Sequence, residues 1–134
     1  MRAIDRDLAA LGTEVLAEAD AGRRRAKRPR LLQLAGDIVR ALGGGRVTCC
    51  KSGKDRTAMS VTLEIARILA RRHGLPKARV LETAALLREW GVRRDVCRKC
   101  IGKPRFAFNR LQQGFLPEEY QPPAGSIAQS AIET

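Results

Sequence analysis

The sequence predicts an α/β domain that is mostly helical, and three observations lead there. Apolar residues recur at helical spacing along most of the chain, one short β-branched run, "RVTCC" (46–50), reads as a strand, and the loop "KSGKDR" joins that run to a further helical stretch. With 134 residues the chain is one small domain at most.

Taken in order, Ile4, Leu8, Leu11, Val15 and Leu16 mark a first amphipathic helix whose pattern fades at "EADAG". The stretch "GRRRAKRPR" (22–30) holds six basic residues in nine and a proline, which predicts an exposed connection or the entrance to the next helix. Leu31, Leu34, Ala35, Ile38, Val39 and Leu42 make that second helix, and Gly43 to Gly45 stop it. After the strand and loop the helical period returns from Thr57, with Val61, Ile65, Ile68 and Leu69 on one side, and it ends at Gly74 and Pro76. His73, just before Gly74, reads as a C-terminal cap rather than a catalytic base. Residues 78–90 predict a helix burying Val80, Ala84 and Leu87, with Trp90 near its end. "GVRRDVCRKC" predicts a short helix and "RFAFNRLQQGF" a further one. Beyond Pro117 the prolines and the polar end "GSIAQSAIET" predict an extended, partly disordered tail.

Lys and Arg number 26 against 14 Asp and Glu, a net charge of +12 that favours polyanionic partners: nucleic acid, anionic lipid or phosphorylated substrates. No stretch approaches the roughly 18 to 20 apolar residues of a membrane span, and "MRAIDRDLAA" carries two aspartates where a signal peptide needs an apolar run. A soluble, intracellular chain is therefore expected. Its cysteines (Cys49, Cys50, Cys97, Cys100) are then expected to stay reduced, for thiol chemistry or metal binding rather than a disulfide framework.

The strand-loop-helix is where the basic residues and a thiol meet. A loop closing onto a helix N-terminus turns several backbone N–H groups toward one point, and the helix dipole adds partial positive charge there. Such a cradle binds phosphate. With Cys50 at its base, the same N–H groups and Arg56 stabilise a thiolate, so that a nucleophile exists at neutral pH. The six positions from Cys50 to Arg56 let the chain wrap one tetrahedral anion while the guanidinium returns to bind two equatorial oxygens, where charge accumulates in the phosphoryl transition state. Gly53 suits a sharp turn or close approach to a ligand. Thr57 is placed to donate its hydroxyl to the sulfur and ease departure from a phosphocysteine. Lys51 and Lys54 add charge for a substrate with several phosphates.

"CKSGKDRT" resembles the catalytic signature of the phosphoinositide phosphatases of the cysteine-dependent superfamily. "CCKSGKDRTAMSVTLE", "GVRRDVCRKCIGKPRFAFNRLQ" and "LPEEYQPPAGS" together resemble the C-terminal end of the inositol polyphosphate 4-phosphatases, over roughly residues 30–134. The resemblance implies a protein tyrosine phosphatase-like fold, of which this chain is a mostly helical C-terminal portion. Residues 1–120 are then the end of a catalytic domain, with the signature loop at 50–57, and residues 121–134 a tail. It further implies removal of the 4-phosphate of phosphatidylinositol 3,4-bisphosphate and related inositol phosphates, with no metal or other cofactor. The partners implied are that phosphoinositide or inositol polyphosphate substrate and an anionic membrane surface visited peripherally from the cytoplasm; no nucleic acid is expected.

By the family motif Cys50 is the nucleophile and Arg56 the phosphate clamp, with Lys51, Ser52, Gly53, Lys54 and Thr57 lining the phosphate site. Asp55 has two roles open to it: general acid toward the leaving inositol oxygen, or an ion pair that holds Arg56 or Lys54 in place. The animal enzymes have Ala at the position of Gly53, whereas bacterial phosphoinositide phosphatase effectors share the Gly.

Plainer readings compete at several positions. Cys49 is expected as a buried strand residue, since neighbouring strand side chains face opposite ways. Cys97 and Cys100 form a C-x2-C pair, but adjacent cysteines make a poor second half-site for zinc. "RRRAKR" and the cluster Arg93, Arg94, Arg98 and Lys99 read either as solvated faces or as lipid contacts. A Walker A loop is excluded, because "SGKD" is preceded by "TCCK" and lacks the upstream glycine. Against the enzyme stands a basic binding module without turnover. Such a module has no need of Cys and Arg six apart on this turn, and the chain is poor in the aromatic platforms of sequence-tolerant nucleic-acid binding.

Overall fold

Helices account for nearly all the regular structure. In this computed structural model residues 2–20 and 28–127 are described, and the core of the basic connection "GRRRAKRPR" and the polar end from residue 128 lie outside them. The chain forms two compact units, Met1–Val47 and Thr48–Thr134.

The first unit is a helical pair. Helix α1 runs Arg2–Asp20 and packs against α2, Pro29–Ala41. Pro29 opens α2 at a first-turn position, where a missing N–H costs nothing because that donor has no intrahelical acceptor. Leu34 and Ile38, one turn apart, are buried. Arg28 ties the entrance of α2 back to α1 through Glu14 Oε2 at 3.2 Å and the Ala17 carbonyl at 3.1 Å.

The second unit is built on α3, Asp55–Arg72, which packs against α4, Val80–Trp90. Lys77–Arg79 form a 3-10 turn leading into α4, α5 follows at Val92–Ile101, and the "LQQ" helix shrinks to α6, Arg110–Gly114. Asn109 caps α6 reciprocally with Gln112. Two core clusters follow one another along α3: Ala58, Met59, Cys97 and Phe106 near its start, and Leu63, Ala66 and Ala84 further along, with Tyr120 against both.

The inward face of α3 differs from the one its branched residues predict. Thr57, Ala58, Met59, Ser60, Thr62, Leu63 and Ala66 are buried, while Ile65 is 40% exposed. Small residues here let α4 come close, and one of the polar ones, Thr62, meets Arg88. Its guanidinium, 2% exposed, donates to Thr62 Oγ1 (2.9 Å) and to the carbonyls of Met59 (3.0 Å), Gln121 (2.7 Å) and Glu119 (2.7 Å). Periodicity places Leu87 inward, but Arg88 holds the buried position and Leu87 is half-buried.

The strand expected over 46–50 does not form, and no strand occurs among the described residues beyond one isolated parallel bridge, Phe106 to Ile127. A β-branched run becomes a strand only beside a partner that takes its N–H and C=O groups. Cys49 is accordingly exposed rather than buried, there being no sheet face to cover it. Residues 121–127, expected within an extended tail, pack into the unit: Pro122, Ser126 and Ile127 are buried, and the Ser126 carbonyl accepts the Phe106 N–H at 2.8 Å. No described helix is long and apolar enough to cross a membrane.

Candidate active site

The signature loop closes onto the N-terminus of α3, where the first N–H groups of a helix have no carbonyl partner. A turn begins it: the Gly53 N–H donates to the Cys50 carbonyl at 3.2 Å, and Gly53 itself takes φ +65°, a left-handed conformation that suits glycine. Lys54 follows as the residue before the helix and Asp55 is its first helical residue.

This geometry gathers donors around one sulfur. Partial burial opposes ionisation of Cys50, but the Thr57 hydroxyl and the backbone N–H groups of Thr57, Ser52 and Gly53 outweigh it and bring the pKa from 9.0 down to about 6. Every group that lowers it is a hydrogen-bond donor of the loop or of the first helical turn. The N–H groups expected to stabilise the thiolate are among those that do so; Arg56, expected beside them, is not. The Thr57 hydroxyl is buried and has no partner at strict hydrogen-bond geometry; its looser approach to the sulfur still favours the thiolate.

The remaining loop side chains divide between an open face and a buried one. Lys51, Ser52 and Arg56 are exposed and Cys50 is half-buried, and neither Lys51 nor Arg56 makes an ion pair among the described residues. Lys54 lies elsewhere than a reader of substrate phosphates would. It is 6% exposed, with its Nζ 3.4 Å from Asp55 Oδ2. Asp55 Oδ1 accepts the Ala107 N–H at 2.8 Å, so both carboxylate oxygens are engaged within the fold.

Two supports come from far along the chain. The segment around Ala107 reaches Asp55, and Arg93 on α5 donates through Nη2 to the Gly53 carbonyl at 2.7 Å. Neither carries a local signal in the sequence, where Arg93 reads only as one of four basic residues on a face. The others behave differently: Arg94 bonds the Pro104 and Glu89 carbonyls, and Arg98 pairs with Asp95. Beneath the loop Cys97 is fully buried; burial and then Asp55 push its thiol up to about 11, against the opposing pull of Lys54 and Arg93. Cys100, three residues on, is exposed, and no three His, Cys, Asp or Glu side chains among the described residues gather as a metal site. His73 occupies the C-cap of α3.

Comparison with known proteins agrees with the sequence resemblance. The family described as the INPP4A C-terminal domain matches residues 6–120, and the chain belongs to that family. It is 40% identical over 124 residues to inositol polyphosphate 4-phosphatase type II of Homo sapiens, covering 92% of this chain and 13% of that protein. Against the type II inositol 3,4-bisphosphate 4-phosphatase of Rattus norvegicus the identity is 42% over 104 residues, 78% of this chain and 11% of that one. A shorter likeness, 38% over 72 residues, links 54% of the chain to 4% of the Homo sapiens phosphatidylinositol 3,4,5-trisphosphate-dependent Rac exchanger 2 protein. The chain thus spans about one eighth of the length of the phosphatases it matches. No solved structure matches it.

Proposed function

We propose that this chain carries the reaction loop of a phosphoinositide phosphatase that removes the 4-phosphate of phosphatidylinositol 3,4-bisphosphate, and of related inositol polyphosphates, through a phosphocysteine. The observation that carries the reading is the closure of the Cys50 loop on the N-terminus of α3, where N–H groups of the loop and of the first helical turn, with the Thr57 hydroxyl, lower the thiol pKa to about 6. The Cys50 sulfur attacks phosphorus, the P–O bond to the 4-oxygen on the inositol ring breaks, and that oxygen leaves with the bonding pair and takes up a proton from solvent to become the 4-hydroxyl. Water then cleaves the sulfur-phosphorus bond, releasing inorganic phosphate and freeing the thiolate.

Arg56, exposed in the first turn of α3, would clamp the equatorial oxygens, and the exposed Lys51 and Ser52 would meet the phosphate from the open face. The contacts of Asp55 with Lys54 and Ala107 favour its holding role over that of general acid. No metal or other cofactor enters this scheme. The segment 46–50 is proposed to become a strand where a longer chain supplies neighbouring strands of a phosphatase sheet, and the +12 charge to bring the protein to anionic membranes from the cytoplasm.

The test is phosphate release by the purified chain from a panel of phosphoinositides, with Cys50→Ser and Asp55→Asn alongside. Release from the 3,4-bisphosphate that disappears in Cys50→Ser is expected. Asp55→Asn separates the two roles. A holding residue lowers turnover of inositol esters and of aryl phosphates alike, whereas a general acid matters mainly for the poorer inositol leaving group. Salt-dependent binding of lipid or DNA that ignores Cys50→Ser, with no turnover, would establish the binding module in place of the enzyme.

A further inference from the structure

We infer that Arg93 is a positioning residue for the reaction loop, holding the Gly53 carbonyl from behind so that the loop N–H groups stay turned toward Cys50. This rests on the reading of Cys50 as the nucleophile and extends it to a residue outside the signature. The contact is short, 2.7 Å from Nη2 to the carbonyl, and it joins elements 40 residues apart. A cationic donor to a carbonyl is among the stronger hydrogen bonds a protein makes.

The geometry of the loop gives that bond leverage. Gly53 sits at φ +65°, the one left-handed residue of the loop, and nothing lies within 4 Å of where a Cβ would project from it. Packing therefore does not hold it, and a glycine explores more backbone conformations than any other residue. A peptide is planar and trans, so fixing the Gly53 carbonyl also fixes the plane that carries the Lys54 N–H, which must point away from α5. The Gly53 N–H, on the preceding peptide, donates to the Cys50 carbonyl at 3.2 Å and helps lower the Cys50 pKa, so the turn and the Arg93 contact hold Gly53 from its two sides.

Arg93 meets this need at a cost to itself. Its Nε is buried without a hydrogen-bond partner, so the side chain reaches the loop rather than satisfying every donor near its own helix. Arg94 next to it directs Nε and Nη1 to carbonyls of Pro104 and Glu89, and does not touch the loop.

The test reads the thiolate and not the phosphatase, so it stays informative whether or not the chain turns over a lipid. In a Cys49→Ser background, which leaves one thiol in the peptide to be followed, the rate of Cys50 alkylation by iodoacetamide is measured against pH by mass spectrometry of the intact 134-residue chain after digestion. Arg93→Met, which keeps the stem and removes the donor, is expected to raise the midpoint by about one pH unit or more. Arg93→Lys, with a shorter and less directed donor, should fall between Met and Arg.

Arg98→Met removes the same charge from the exposed face of α5 and should leave the midpoint where it was. A folded Arg93→Met with an unchanged midpoint, or an equal shift in Arg98→Met, overturns the assignment. Circular dichroism identifies a variant that has not folded. Should that be Arg93→Met, the Lys variant decides: an upward shift supports the proposal and an unmoved midpoint refutes it.

Discussion

Two cysteines near one loop take opposite ionisation states for the same physical reason, the supply of donors. Cys50 has three N–H groups and a hydroxyl and falls to about pH 6; Cys97 has burial and a carboxylate beside it and rises to about 11. Alkylation at neutral pH should therefore label Cys50 quickly and spare Cys97, which peptide mass spectrometry resolves. The signs for stability also differ. The folded pKa of Cys50 lies below its ordinary 9.0, so its contribution is complete above pH 9.0 and is lost as pH falls through about 6. That of Cys97 lies above its ordinary 9.0, so its contribution is present below pH 9.0 and is lost as pH rises toward about 11. Urea midpoints across this range, in Cys50→Ser and Cys97→Ser, separate the two. At Gly53, alanine meets open space but must hold φ +65°, so Gly53→Ala should cost about 1 kcal/mol by denaturant unfolding, with little change in the alkylation midpoint.

Between elements, the strongest tie is Arg88. Four hydrogen bonds from one buried guanidinium join α4 to α3 and to the segment around Glu119–Gln121. Burial pulls its pKa down to about 10, which still leaves it charged at neutral pH, and it faces carbonyl oxygens and a hydroxyl rather than a carboxylate. Removing it strands those acceptors as well as the packing. Arg88→Ala should lose on the order of 3 kcal/mol of unfolding free energy, and Arg88→Lys should recover only part, since an ammonium does not span the same fork. Urea denaturation followed by helical circular dichroism measures both. Because α3 also carries Thr57, loosening this tie is expected to slow Cys50 alkylation at pH 7 as well.

For the whole chain, the donors to Cys50 and the supports of its loop all come from residues 50–107, inside the second unit. Residues 48–134 alone should then keep helical circular dichroism and an alkylation midpoint near pH 6; a midpoint near 9 in the isolated unit would show that the first unit is required. Trp90, the chain's one tryptophan, is 76% exposed at the end of α4, and Val92 beside it is 71% exposed. Its fluorescence should be close to that of indole in water. A blue shift on adding anionic vesicles, reversed by salt, would mark this end of α4 as a surface that meets lipid.

Much of the helical content is legible as apolar period and punctuation: Gly43 to Gly45 end α2, and Gly102, at φ +73°, ends α5. The loop is legible too, because Cys50, Ser52, Gly53 and Thr57 lie at fixed short spacing and a local turn onto a helix start brings them together. The inward face of α3 is not, since a helix that buries Thr, Ser and Ala against an arginine has no apolar stripe to read. The roles of Arg93, Arg88 and Ala107 were hidden for a related reason. Their contacts span 40, 26 and 52 residues, and side chains that meet only when helices pack leave no spacing in the sequence. Residue order settles which groups the loop sets next to one another; packing settles which distant side chains contact it and which loop side chains are buried.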